Sequence, residues 1–286
     1  MAKTFPDDDQ HFLRSFAVQY PDFVTETGIA TIWRVTQDDG SAAALKIYAD
    51  GNMQGEAPGF DLLRAQDGRG AARVLGLADG AALLEWLDGP SLGDLTRAGQ
   101  DDLASEGLID TVKRLHQMPT CAMTTLSRLE DRFAALMNAR YTTACPHAAQ
   151  NGLRAATALA QRLLAAQKDQ RPLHGDFHHD NVLGSPRGYL AIDAKGVFGD
   201  RLYELANAFR NPLGAEDQVL TTPAIARRAD HWANGFDTKP NDLLTWAVAH
   251  TALSLAWTYN GVFEADVMSE IAYLDRLLAL TDTSVF

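Results

Sequence analysis

Three side chains stand out by type and spacing: Asp176 and Asn181 within His174-Gly175-Asp176-Phe177-His178-His179-Asp180-Asn181, and Asp193 twelve residues further on. Transfer of a phosphoryl group from a nucleotide needs a carboxylate beside the attacking hydroxyl and two further oxygen ligands for a magnesium ion. This stretch contains all three. Asp176 is the candidate catalytic base, and Asn181 and Asp193 are the candidate metal ligands. Hard oxygen donors suit magnesium, which takes its remaining ligands from water and from the nucleotide phosphates.

The spacing from Asp176 to Asn181 is the D-x-x-x-x-N of a kinase catalytic loop, with Asp193 in the place of the second metal-binding carboxylate. Alone, Asp176 or Asp193 reads more readily as a loop residue capping a turn. Their combination with Asn181, each behind a strand-like run, favours chemistry. His174, His178 and His179 open a rival reading, a zinc site in a hydrolase. Adjacent His178 and His179 would point in different directions, and neither H-E-x-x-H nor a cysteine pair accompanies them. His174 is therefore expected to hydrogen-bond the loop backbone.

Upstream, Ala44-Leu45-Lys46-Ile47 sets a lysine inside an apolar strand, where a buried ammonium is costly without a partner or a phosphate. Glu56, ten residues on, is the candidate partner. The bland alternatives are an edge-strand lysine with its head in solvent and a helix-end glutamate. Thr25-Glu-Thr-Gly28-Ile-Ala-Thr31 lies where a phosphate loop would, although it has one glycine rather than G-x-G-x-x-G. Backbone amides near Gly28 and the Thr31 hydroxyl are candidate phosphate donors, and a plain turn is the alternative. Glu85-Trp86-Leu87 is the candidate base-binding segment, through the backbone of Glu85 and Leu87, with Trp86 equally a core residue.

The elements that must position these residues follow from the hydrophobic pattern. Ala30–Val35, Ala42–Tyr48, Ala72–Leu77 and 81–86 read as short strands, paired into hairpins across Asp38-Asp39-Gly40-Ser41 and Asp79-Gly80. Between them Pro58–Gln66 reads as a short helix. Beyond Asp88-Gly89-Pro90 the period becomes helical. Leu103, Leu108, Ile109, Val112 and Leu115 mark one amphipathic helix, and further helices are expected over Leu153–Gln167, Leu202–Phe209, Asn241–Tyr259 and Ala265–Leu280. Arg171–His174 and Tyr189–Asp193 are strand-like and flank the catalytic stretch. The expected fold class is α+β, with two lobes: residues 1–87, a small antiparallel sheet with a helix that binds nucleotide, and 88–286, a larger, mainly helical catalytic lobe.

At 286 residues the chain can bury a core in each of two unequal lobes. Its formal charge of −12 argues against general nucleic-acid binding and suits a cationic partner or plain solubility. No apolar run approaches the roughly 20 residues of a membrane span, and no signal peptide is evident, so a cytoplasmic location is expected. Cys121 and Cys145 lack metal-ligand spacing and are expected to be inert thiols.

With Lys46, Glu56, Asp176, Asn181 and Asp193 aligned, the chain resembles the aminoglycoside phosphotransferases, bilobal enzymes related to protein kinases. Gly70–Gly76, Leu173–Asn181, Ala191–Gly196 and Asp131–Ala135 resemble in particular the streptomycin 6-kinase and hydroxyurea phosphotransferase subgroup. The resemblance implies ATP and Mg2+ as cofactors, Asp176 as base, Asn181 and Asp193 as metal ligands, and Lys46 on the nucleotide phosphates. Asp193-Ala-Lys-Gly196 departs from the Asp-Pro-Lys-Gly of many members without touching the metal ligand.

The acceptor is expected to be a small molecule, because Asp200–Glu204 resumes a helical pattern seven residues after Asp193 and leaves little room for a peptide platform. Guanidinium groups such as those of streptomycin call for carboxylates. Asp200 and Glu204, then Glu264, Asp266 and Glu270, with Trp257 and Tyr259 as stacking surfaces, are the candidate acceptor wall. Two other readings stay open: a kinase of another small metabolite of sugar amine, choline or homoserine type, and a nucleotide-binding module without catalysis.

Overall fold

The computed structural model describes residues 3–53, 55–118 and 126–281. Its first part is a five-stranded antiparallel sheet in the order β1-β2-β3-β5-β4, formed by β1 (Val18–Glu26), β2 (Ala30–Gln37), β3 (Ala42–Tyr48), β4 (Val74–Ala78) and β5 (Ala81–Glu85). Both expected hairpins are present, with Gly40 and Gly80 at positive φ in their turns. The helix α2 (Ala57–Gln66) stands between β3 and β4.

The alternation of side chains along a strand divides this sheet into two faces. Leu45 is paired with Trp33 and Leu83, and Ala43 with Val35. These residues form an apolar cluster covered by Phe5 and by Phe12 of α1 (Gln10–Ser15). Burying each of the larger side chains contributes roughly 1.5–3 kcal/mol. Lys46, paired with Ile32 and Ala82, and Ala44, paired with Arg34 and Leu84, point to the opposite face. That face lines a cleft.

Two elements here were not expected from the sequence. Strand β1 alternates with exposed residues and carries Pro21, so its pattern is diluted, and α1 is only six residues long. The expected strand from Ala72 begins at Val74.

After β5 the chain is mainly helical, with α3 (Leu92–Arg97) closed by a Ser91–Asp94 capping box and followed by α4 (Asp101–Leu115). Leu103, expected on the buried stripe of α4, is instead exposed, because Ala104, Leu108, Ile109, Val112 and Leu115 define the face that packs inward. The helix Pro240–Thr258 is buried around most of its girth and packs against His147–Ala165, Thr222–Gly235 and Met268–Leu280. The helical stretch expected over Leu202–Phe209 is two 3-10 turns, Arg201–Leu205 and Asn207–Arg210, and a third, Ala265–Val267, precedes the last helix.

A buried ion pair lies inside this core. Arg228 is fully buried and forks onto Asp101, with Nη2 to Oδ1 at 2.6 Å and Nε to Oδ2 at 3.1 Å, and its Nη1 donates to the carbonyls of Ala208 and Asn211. Burial opposes ionisation of Asp101, but Arg228 and Arg227 outweigh it and hold the carboxyl at about 2. Cys145 is buried, which pushes its thiol up, and Cys121 lies outside the described residues. Among the described residues, no helix is long and apolar enough to cross a membrane.

Candidate active site

The catalytic stretch is pinned by backbone pairing on both sides. Gln170–Leu173 leads into it and pairs antiparallel with Val197–Asp200; Val182–Leu183 leads out and pairs with Leu190–Ala191 across the Ser185–Gly188 turn. Asp176 therefore sits on a loop after a strand, Asn181 ends the 3-10 turn His179–Asn181, and Asp193 follows the return strand. His174 fastens the loop, its Nε2 lying 2.7 Å from the Ile192 carbonyl while Nδ1 accepts the Asp176 N–H at 3.3 Å. These partners place the imidazole proton on Nε2.

Asp176 and Asn181 are in direct contact. Asn181 Nδ2 donates to the Asp176 carbonyl at 2.9 Å, so its amide oxygen is the atom that could coordinate a cation. Asn207 Nδ2 donates to Asp176 Oδ1 at 2.8 Å and orients the carboxylate.

On the facing side, Lys46 Nζ lies 2.7 Å from Glu56 Oε2 and 2.5 Å from Asp193 Oδ1. Tyr48 also donates to Glu56 Oε2, and Lys195 Nζ contacts Glu56 Oε1 and lies 3.4 Å from Asp193 Oδ2. Burial opposes charge on Asp193, yet Lys46 and Lys195 together hold its carboxyl at about 2. Glu56 is likewise held low, the two lysines prevailing over burial and over Asp193.

This convergence depends on a close backbone approach. A Cβ on Gly59, in the first turn of α2, would lie 1.8 Å from the Ala194 carbonyl oxygen, and one on Gly196, at φ +66°, would lie 2.4 Å from Pro58 backbone. The Asp193–Gly196 loop can thus rest on the start of α2, which brings Glu56 to Asp193 and Lys195. Asp193 itself takes the left-handed conformation, at φ +61°.

A cleft of about 460 Å³ opens beside this cluster and is lined by Lys46, Asn181 and Asp193 at one end and by Leu84, Glu85, Trp86 and Leu87 at the other. Ile32 and Ala44 from the sheet, with Leu183 and Ile192 from the catalytic hairpin, make its walls apolar. Trp86 is half-buried with Arg34 over its ring, a cleft residue rather than a core one. Glu85 turns its carboxylate onto Arg187 and the Arg73 N–H. Of the β1–β2 turn, Thr25, Thr27 and Ile29 line the cleft, but Gly28 and Thr31 do not. The Thr27 hydroxyl accepts the Ala30 N–H, which is the bonding of an ordinary turn.

The two carboxylates placed first on the acceptor wall are committed elsewhere. Glu204 is buried under the catalytic loop, where its oxygens accept the N–H groups of His174 at 2.9 Å and Gly175 at 3.0 Å, with His116 Nε2 at 3.1 Å. Asp200 is buried and caps the turn after its strand, accepting from Leu202 N–H and Lys168 N–H. Nearness in sequence misled here, because an extended strand at roughly 3.3 Å per residue carries Asp200 away from Asp193. Asp200 borders a separate hollow with Lys168, Arg201 and Asp242.

Glu264 and Asp266 are exposed before the last helix, as is Glu270 within it, and Trp257 is 39% exposed with the Arg132 guanidinium 4.8 Å from its ring. Arg132 Nε donates to Tyr203 Oη. Replacing Glu204 by Gln puts an amide donor where the loop needs acceptors; an expected loss of about 1–3 kcal/mol is read by urea denaturation.

Asn207, Tyr48 and Lys195 were not singled out as site residues by sequence reasoning. Lys195 carried the same signal as Lys46, a lysine within an apolar run, Ala194-Lys-Gly-Val197. Asn207 gave none, because its relation to Asp176 exists only after the intervening chain has folded back.

Comparison with known proteins agrees with this geometry. The family described as aminoglycoside/hydroxyurea antibiotic resistance kinase matches residues 16–261. The chain is 41% identical over 209 residues to the streptomycin 3''-kinase of Klebsiella pneumoniae, covering 71% of this chain and 75% of that one. It is 28% identical over 253 residues to the streptomycin 6-kinase of Streptomyces griseus, covering 85% and 79%.

Among solved structures, an amicoumacin kinase in complex with AMP-PNP, Ca2+ and Ami superposes with a TM-score of 0.65 at 14% identity, covering 96% of this chain and 94% of that one. The choline kinase of Streptococcus pneumoniae superposes at 0.65 with 13% identity, covering 95% and 97%. The fold is thus protein-kinase-like and bilobal, with an antiparallel sheet lobe and a helical lobe. The chain belongs to the aminoglycoside/hydroxyurea antibiotic resistance kinase family, and it is a phosphotransferase.

Proposed function

We propose that this protein is an ATP- and magnesium-dependent O-phosphotransferase whose acceptor is a hydroxyl of streptomycin or a related aminoglycoside. The single observation that carries the reading is the meeting of Asn181, Asp193 and Lys46 at one end of an apolar-walled cleft, with Asp176 tied to Asn181 through its carbonyl. In this reading residues 1–87 form the nucleotide lobe and 88–286 the catalytic lobe, working in the cytoplasm, where ATP is at hand.

The donor set fits magnesium. Asn181 and Asp193 offer one amide oxygen and one carboxylate, hard ligands that leave room for phosphate oxygens and water. Among the described residues, no group of three or more His, Cys, Asp or Glu could hold a metal by itself. Bound there with the nucleotide, the ion would supply charge neutralisation on the phosphates. Lys46, held between Glu56 and Asp193, would face the same phosphates, and the base would lie between the sheet face and Leu183 and Ile192.

Asp176 would take the proton of the acceptor hydroxyl as its oxygen attacks the terminal phosphorus, with Asn207 holding the carboxylate in place. Glu264, Asp266 and Trp257 remain candidates for the acceptor wall. The relatives named 3''-kinase and 6-kinase make those two hydroxyls of streptomycin the ones to distinguish.

Mass spectrometry of streptomycin after incubation with enzyme, ATP and magnesium is expected to show one added phosphate, and phosphorus-proton correlation of the product to show which hydroxyl carries it. Unmodified streptomycin alongside phosphorylation of a choline-like or sugar-amine acceptor would overturn the acceptor assignment.

A further inference from the structure

We propose that Lys195 is a second phosphate-directed lysine, which neutralises the transferring phosphoryl group from the acceptor side while Lys46 does so from the sheet side. The proposal rests on the cleft being the nucleotide site.

The geometry of Glu56 is the starting point. One carboxylate bridges two ammonium groups, Oε2 to Lys46 at 2.7 Å and Oε1 to Lys195, and Tyr48 adds a third donor. The same two lysines flank Asp193, Lys46 on Oδ1 and Lys195 on Oδ2. If Asp193 turns its oxygens to a cation, both lysines are left with Glu56 as their shared counter-charge. Two ammonium groups on one carboxylate carry a net positive charge in a partly buried place, and an incoming phosphate oxygen relieves it.

Lys195 is also placed on the proper side. It follows Asp193 on the loop whose Lys195 and Gly196 N–H groups both donate to the carbonyl of His174, at the root of the catalytic loop. Within the catalytic loop, burial drives His178 toward the neutral imidazole.

In the transfer step the hydroxyl oxygen bonds to the terminal phosphorus, the bond from that phosphorus to the bridging oxygen breaks, the proton passes to Asp176 and ADP leaves. Charge spreads over the three equatorial oxygens meanwhile. Lys46 is anchored on the sheet and Lys195 on the catalytic side, so the pair brackets those oxygens. A lysine that only supported Glu56 would serve the bound and the reacting nucleotide alike.

The test is calorimetric binding of magnesium ADP with and without fluoroaluminate, a planar mimic of the transferring group, which needs no knowledge of the acceptor. Fluoroaluminate is expected to tighten ADP binding to the wild type by about a hundredfold. Lys195→Met should bind ADP within about threefold of wild type but lose tenfold or more of that increment, as when one transition-state donor is removed. Lys195→Arg should keep most of it.

A Lys195→Met protein that retains the increment overturns the proposal, as does one whose ADP affinity falls in the same proportion, since that marks support of Glu56 alone. Absence of the increment in the wild type overturns it too. A wild type that shows the increment but leaves streptomycin unmodified sinks the acceptor assignment and leaves Lys195 in its role.

Discussion

Asp176→Asn is expected to lower turnover by about 10²–10⁴-fold, the contribution of a positioned general base, while the affinity for an ATP analogue stays within about threefold. The substitution is nearly isosteric, and an Asn side chain can still accept the Asn207 Nδ2 hydrogen bond through its amide oxygen. What it cannot do is receive the hydroxyl proton. Lys46, Asn181 and Asp193 do not bond to the Asp176 side chain, so the nucleotide end of the cleft should be undisturbed. Steady-state turnover on the identified acceptor and calorimetry with the analogue check the two halves separately. Turnover near that of the wild type would remove Asp176 from the base role.

The second large effect is on stability. Arg228→Met should destabilise the fold by about 3–5 kcal/mol, because it strands a buried carboxylate that two guanidinium nitrogens now satisfy. Asp101 would keep Thr96 and the more exposed Arg227, and the carbonyls of Ala208 and Asn211 would lose their shared donor.

The pH dependence has a defined sign. The folded-state pKa of Asp101, about 2, lies below the ordinary carboxylate value of roughly 3.9. Its contribution is therefore fully present above pH 4 and is lost as the pH falls through about 2. Urea unfolding from pH 6 toward pH 2 should show the gap between wild type and Arg228→Met shrinking with acidity. A gap that stays constant would mean that lost packing, and not the ion pair, sets the cost.

Much of this site was legible without coordinates. Lys46 announced itself because strand alternation gives an ammonium a face of its own, and a buried one needs a carboxylate; the structure pairs it with Glu56. His174 was expected to bond the loop backbone and does so at Ile192. The helices rested on periodicity that packing reinforces, so Pro240–Thr258 and α2 fall within a residue or two of expectation. Where packing opposed a local signal it prevailed, as at Leu103, which is apolar and exposed.

The acceptor wall was the least legible. Asp200 and Glu204 are acidic and close in sequence to Asp193, yet one caps a turn and the other holds the catalytic loop from beneath. Sequence distance measures the chain; spatial distance depends on where strands and turns send it. A carboxylate facing a ligand and one satisfying buried N–H groups look alike until the partners are known.

The sequence by itself determined the candidate set, because the spacing of Asp176, Asn181 and Asp193 and the strand context of Lys46 are local properties that follow from chain geometry. Only the tertiary structure decided which groups share that set. Asn207 and Lys195 enter it through contacts with residues distant in the chain, Tyr48 through the nearby Glu56, and Asp200 and Glu204 leave it. The physical reason is that hydrogen-bond satisfaction and burial are properties of the packed molecule, settled when α2 meets the Asp193–Gly196 loop.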